Sequence, residues 1–355
     1  MPGIGFNNHR ATFKKSLIAT IIDKQRSKKG FEGFFPRESH ETAMLAINVM
    51  KLGRKVAVDV IRCTDPHMNT FSRNAENLYI PPQYFEGFDV CKCDGYWDTF
   101  GSADGNYSGS RMLQLANSSV DKTQYLIDMI ERAIELQRIQ VLTTGVVTLK
   151  NGDSIDYGRS PASMKVLTGT EKWDTATANI MKNFRDGGDF LRTTGLSTSD
   201  ELNAIMGADA FENMLSNETF NETFNNRRID RGFINAPQMN GVTGMVFQGQ
   251  FSTGDFKINI FTYNETYENA AGQNVRYLDK DTVILLPNDF VGETAFGANE
   301  GFIGEGMNAR PVLIKDEYLI SDLLDTRKTS WEILVKSSPL AIPFHPNRIY
   351  TIKTA

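Results

Sequence analysis

Apolar residues recur every three or four positions through Leu126, Met129, Ile130, Ala133, Ile134 and Val141. That period predicts a helix with one apolar side, with Ser118 or Ser119 as its N-cap. Asp128, Glu131, Arg132, Glu135 and Arg138 fall mostly on the other side, with Asp128 and Arg132 four apart. Over residues 120–141 such a helix spans about 32 Å at about 1.5 Å per residue. The period then changes to two. Residues 144–159 carry Asn151-Gly152, a dipeptide that closes two-residue hairpins. It would pair Lys150 with Asp153, Thr148 with Ile155 and Val146 with Tyr157.

Upstream, residues 11–22 hold a short amphipathic pattern: Phe13, Leu17, Ile18 and Ile21. Residues 46–49 and 56–61 are β-rich, with a turn at Lys51-Leu-Gly-Arg54 between them. Pro81-Pro82 enforces extended backbone outside any central strand. The Gly- and Ser-rich stretch 94–110 reads as a linker into the long helix.

Downstream, Asp174 or Thr175 caps a predicted helix that reaches Arg185 and stops at Gly187-Gly188. Thr198-x-x-Glu201 has the form of a capping box, which predicts a second helical zone broken at Gly207. Residues 217–224 repeat Asn-Glu-Thr-Phe, too short a unit for a structural repeat. Strands are predicted at 245–247, 256–263 and 282–286. This mixing of helices and strands describes an α+β fold in which one domain is inserted into another.

Composition narrows the function classes. The 355 residues suffice for two domains. With 38 basic and 43 acidic residues the net charge is −5, which argues against a dedicated nucleic-acid binder. Cys63, Cys91 and Cys93 make no disulfide framework. Residues 1–10 are polar, unlike a signal peptide, and no apolar run approaches the ~20 residues of a membrane span. A reducing cytoplasm is the expected place of synthesis.

Candidate chemistry is thin. Cys91-x-Cys93 with Cys63 and His67 lacks the usual zinc spacing. Gly301-Phe-Ile-Gly-Glu-Gly306 is not in a phosphate-loop order. Ser119-x-x-Lys122 sits where capping explains the serine, and Asp279-Lys-Asp281 reads as a turn. His9, His40, His67 and His345 lie in separate segments. No catalytic, cofactor-binding or metal-binding residue is expected.

The run Glu135-Leu-Gln-Arg-Ile-Gln-Val-Leu-Thr-Thr-Gly-Val146, followed by Asp156-Tyr-Gly-Arg159, resembles the major capsid protein family of lambda-like tailed bacteriophages. Phe34-Phe-Pro-Arg-Glu-Ser39 is similar to that family's Phe-Phe-Arg-Glu-Ser, with Pro36 extra. Residues 41–62 and Tyr79-Ile-Pro-Pro-Gln-Tyr84 look like the two sides of its extended loop, and residues 331–353 like its closing strands.

The resemblance implies a Hong Kong 97-type capsid fold. Its parts would be an N-terminal arm (1–40), an extended β-hairpin loop (41–95), a peripheral domain (96–170 and 311–355) and an inserted axial domain (171–310). The peripheral domain would be built on a spine helix at about 119–142 and the hairpin 144–159. It further implies a non-enzymatic shell subunit forming hexamers and pentamers around double-stranded DNA, assembled in the host cytoplasm and carried in the virion. A scaffolding protein, a portal and a decoration protein are its implied partners. Phe34, Phe35, Arg37, Glu38, Arg54, Arg62 and Arg159 become assembly candidates. Arg159 is expected to grip a carboxylate bidentately, so that Arg159→Lys impairs assembly more than folding. Lys51 and Lys55 lie in the loop region, but no crosslinking is expected. Rival readings are a bacterial nanocompartment shell, a soluble two-domain enzyme and a tail-tube subunit.

Overall fold

A computed structural model describes residues 30–49, 75–90, 109–149, 153–176, 178–224, 232–239, 244–269, 271–303, 310–325 and 330–355. The predicted helix at 11–22, the strand at 56–61, the linker at 94–108, Arg54, Arg62, the three cysteines and His67 lie outside them.

The frame is helix α1, Gly109–Thr144. It starts about ten residues before its predicted N-terminus, so Ser118 and Ser119 are interior rather than caps, and the linker yields its last two positions to the helix. Around residues 119–130 only one side is buried, through Val120, Leu126, Ile127 and Ile130. From Glu131 to Leu142 the helix is enclosed nearly all round, and Glu131, Glu135 and Arg138 are buried. The one-faced pattern does not hold there, because strands and the N-terminal segment close over the charged side. Gly145 ends the helix with φ +75°, donating to the Val141 carbonyl at 3.0 Å.

The hairpin follows directly, but its register differs by one residue. Val146 pairs with Asp156, Val147 with Ile155 and Thr148 with Ser154, and the Leu149 amide donates to Asp153 O at 2.8 Å. Three residues rather than two therefore close it, which turns Val147 and Ile155 inward together.

A seven-stranded sheet forms the other main layer. Its order is Met164–Val166, Tyr350–Lys353, Thr282–Pro287, Glu201–Met206, Lys257–Tyr263, Met245–Ser252 and Gly232–Met239. Glu201–Met206 is a strand, contrary to the predicted helix. It is buried on both faces, Leu202, Ala204 and Met206 in one core and Ile205 in the next. A short, mostly apolar run cannot by periodicity alone distinguish strand from helix. The serine and threonine ahead of it serve Asp289 instead: Ser197 Oγ donates at 2.7 Å and the Thr198 amide at 3.1 Å. Helix α2, Ile180–Thr193, lies on the sheet with Asn179 as its cap. α3, Ala208–Ser216, starts after Gly207. α4, Glu218–Phe224, takes Asn217 as its cap, the Phe220 amide donating to Asn217 Oδ1.

The predicted α2 stop at Gly187-Gly188 does not occur. The pair allows close packing on the sheet: a Cβ at Gly187 would stand 2.6 Å from Leu285 and one at Gly188 2.5 Å from Phe256. Gly188→Ala is therefore expected to destabilise the chain by about 1–3 kcal/mol, despite alanine's better helix propensity. The midpoint of urea unfolding measures it; an unchanged midpoint would remove the packing explanation.

Three elements bring the N-terminal segment to the frame. Arg37–Ser39 runs parallel to Gly292–Phe296, which pairs on its other edge with Pro339–Pro343. Leu45–Val49 pairs with Ala75–Tyr79, the base of a long excursion. Tyr84–Val90 joins Ser330–Ser337 and Leu319–Asp325. Among the described residues no helix is long and apolar enough to cross a membrane.

Candidate functional site: the fastened root of the N-terminal segment

Residues 31–39 are held on α1 by aromatic anchors and by charge. Phe31 and Phe35 are completely buried. Phe31 meets Tyr263 edge-on at 5.0 Å and Phe35 meets Phe290 at 5.7 Å. Phe34, half-buried, packs against the same core.

Arg37 is enclosed by carboxylates. Its two terminal nitrogens donate to both oxygens of Glu131 at 2.8 and 2.7 Å, a fork-on-fork pair. Its Nε donates to Glu32 at 2.9 Å, and Glu317 stands at 3.4 Å. The Tyr318 hydroxyl donates to Glu131 Oε1 at 2.6 Å. Burial alone pushes the Glu131 carboxyl up, but the hydrogen bonds and charge of Arg37 outweigh it, and the net shift is below the ordinary 4.5.

One turn on, Glu135 and Arg138 form a wholly buried pair at 3.1 Å. Glu135 also accepts from the Phe31 amide at 3.0 Å and the Tyr263 hydroxyl at 3.3 Å. Arg138 donates through Nε and Nη2 to Thr294 Oγ1 at 3.1 and 2.9 Å, and that hydroxyl donates to Phe35 O. Here burial prevails and the Glu135 carboxyl is pushed up, although Arg138 and the Phe31 amide oppose it. Gln137 completes the row, donating to the Tyr84 hydroxyl at 2.8 Å and accepting from the Ala341 amide at 3.2 Å.

These shifts fix a sign. Because the Glu131 pKa is lowered in the folded chain, its stabilising effect is fully present above about pH 4.5 and fades as pH falls through the lowered value. Glu131→Gln is expected to cost about 1.5–3 kcal/mol at pH 7. The gap from wild type should narrow on acidification, read from denaturation at pH 7 and pH 4. A gap independent of pH would assign the loss to shape instead of charge.

Arg159 lies at the C-terminal end of α1, and its expected carboxylate is not there. Among the described residues its partners are oxygens of carbonyls and hydroxyls. Nη1 donates to Leu142 O and Thr143 O at 2.8 and 3.1 Å, Nη2 to Ser163 O and Thr351 Oγ1 at 3.0 and 2.6 Å, and Nε to Ser163 Oγ at 2.7 Å. It caps the carbonyl end of the helix, where a cation is favoured. Burial pushes its pKa down to about 9, so it remains protonated at neutral pH.

The structure thus brings Phe34, Phe35 and Arg37 together at one site, with Glu38 on the outer side of the same strand. Arg159 stands apart from them, buried. Sequence reasoning missed Phe31, Glu131, Glu135, Gln137 and Arg138. The one signal on offer was that Glu131, Glu135 and Arg138 stand four and three apart, a one-faced helical spacing like that of the apolar Ile127, Ile130 and Ile134.

Some large apolar side chains remain outside. Met44, Leu78 and Ile80 are exposed at the base of the excursion, and Phe302 and Leu313 share the open face of the hairpin Asn299–Ile303/Arg310–Ile314.

A family model described as phage major capsid protein E matches residues 19–354. Among solved structures, a prophage protein of E. coli CFT073 described as a capsid protein is 15% identical, with a TM-score of 0.65 over 96% of this chain and 98% of that one. A phage-related protein of Bordetella bronchiseptica RB50 is 11% identical, with a TM-score of 0.51 over 96% and 97%. No curated protein matches the sequence.

Proposed function

The chain belongs to the phage major capsid protein E family, and we propose that its copies close as hexamers and pentamers into an icosahedral shell around double-stranded DNA. It is a major capsid protein with the Hong Kong 97-type α+β fold, and its role is structural. The family match over residues 19–354 carries this reading, because it spans the N-terminal segment, the excursion, the long helix and the closing strands together. The exposed Met44, Leu78, Ile80, Phe302 and Leu313 support it, since a shell subunit leaves apolar surface for its neighbours to bury.

In this reading residues 1–40 are the arm, 41–95 the extended loop, 96–170 with 311–355 the peripheral domain and 171–310 the axial domain. The last two share the seven-stranded sheet through Met164–Val166 and Tyr350–Lys353, which favours movement as one plate. Assembly takes place in the host cytoplasm, and a scaffolding protein, a portal and a decoration protein are the partners that the family resemblance implies. Phe34, Phe35 and Arg37 act by fixing the direction in which the arm leaves the body, and Arg54 and Arg62 by contacts from the loop. Arg159 sets the angle between spine and hairpin.

Negative-stain electron microscopy of the chain expressed alone, after sizing its lysate, tests the reading. Shells, tubes or sheets with a hexagonal lattice are expected. A monodisperse small species that stays small when co-expressed with neighbouring phage genes would overturn it.

A further inference from the structure

Glu38, His40 and Glu293 offer one carboxylate oxygen each from the two glutamates and one imidazole nitrogen, all within 4.8 Å of one another. Their placement follows from the sheet. Glu38 and His40 are two apart, so they share one face of the extended segment, while Glu293 comes from the strand beside it. The register of that pair is fixed by Arg37 opposite Thr294 and Glu38 opposite Ala295, and is continued by the His40 amide donating to Phe296 O at 2.8 Å. These donors stand on hydrogen-bonded strands, whose positions do not drift as loop residues do.

His40 Nε2 already faces Glu293 Oε1 at 2.7 Å. Glu38, exposed beside them, has no hydrogen bond or ion pair among the described residues. A simple His–Glu pair explains two of the three groups and leaves Glu38 as a second carboxylate, open to water, on the same face. A cation between the three accounts for all of them.

We propose that Glu38, His40 and Glu293 bind a divalent transition metal, with zinc as the ion that fits best. Imidazole nitrogen and carboxylate oxygen are both zinc ligands, and three protein ligands leave a fourth position for water. Imidazole disfavours the hard ions calcium and magnesium, which take oxygen ligands. Ligand atoms about 2.0–2.2 Å from a tetrahedral ion lie about 3.3–3.6 Å apart, so small side-chain rotations bring the present spacing to that of a bound site. The ion would staple the strand Arg37–Ser39 to Gly292–Phe296 where the chain departs toward the excursion. The sequence holds two of the three ligands together, Glu38-x-His40 in one extended segment; Glu293 is 253 positions from His40.

The test is calorimetric titration of zinc chloride into the chelator-treated full chain, beside His40→Ala and Glu38→Gln. Saturable binding of one ion per chain is expected. Each variant should bind at least about tenfold more weakly, because even partners one shell out are worth about 10–100-fold. Glu38→Gln alters only an exposed side chain, so its loss of binding cannot be a folding defect. Absence of saturable binding, or equal binding by wild type and both variants, would overturn the proposal. Cobalt substitution checks the donors. A visible spectrum without a thiolate charge-transfer band is expected, and such a band would move the ion to the cysteines and overturn the assignment.

Discussion

Arg138→Met is expected to lower the unfolding free energy by about 3–5 kcal/mol, the scale of stranding one partner of a buried ion pair. Both side chains of the pair are fully buried, so water cannot replace the lost cation at Glu135. Methionine keeps the apolar stem of arginine, which limits the cavity that accompanies the electrostatic loss. In the variant Glu135 favours its protonated form, since burial already pushes its pKa up. The deficit should therefore be largest at neutral pH and shrink on acidification. Adding Glu135→Gln to Arg138→Met should recover more than half of the loss, because an amide oxygen still accepts from the Phe31 amide and the Tyr263 hydroxyl. Urea denaturation of the unassembled chain reads all three. A loss below about 1 kcal/mol, the value of an exposed pair, would show that the pair does not hold the root of the arm.

Arg159→Met is expected to cost about 3 kcal/mol or more, at about 1–3 kcal/mol for each buried acceptor left without a donor. The helix-end carbonyl of Thr143 and Ser163 O lose their side-chain donor, while Leu142 O keeps only the Thr351 hydroxyl. Arg159→Lys should fall between wild type and methionine, because an ammonium cannot reach both the helix end and Ser163 with the planar fork of arginine. Sequence resemblance alone pointed to a defect in assembly. The observed contacts are internal, so the defect should appear first in the unassembled chain as a lowered unfolding midpoint, with particle yield following it. A wild-type midpoint together with lost particles would restore the assembly role.

Long amphipathic and β-rich patterns survive well from sequence to structure. The spine helix, the hairpin after it and the strands at 245–252, 257–263 and 282–287 all form near where periodicity puts them. Each is decided locally, by the period with which apolar side chains must face one side. The errors have a common origin. Glu201–Met206 reads as helix until the strands 257–263 and 282–287 close on both its edges. Gly187-Gly188 reads as a stop until Leu285 and Phe256 come within reach. A one-residue slip in the hairpin depends on where Ile155 is buried.

The site itself was half visible. Phe34, Phe35 and Arg37 stand in one motif, but what they grip does not. Arg37 lies 94 positions from Glu131, the Phe31 amide 104 from Glu135 and Arg138 156 from Thr294. On a helix a glutamate turned to water and a glutamate turned to a distant arginine have the same spacing and the same propensity. The amphipathic period belongs to the sequence alone. Which charged residues are buried was decided by the tertiary structure, because an ionised side chain leaves water only when its partner arrives from elsewhere in the chain.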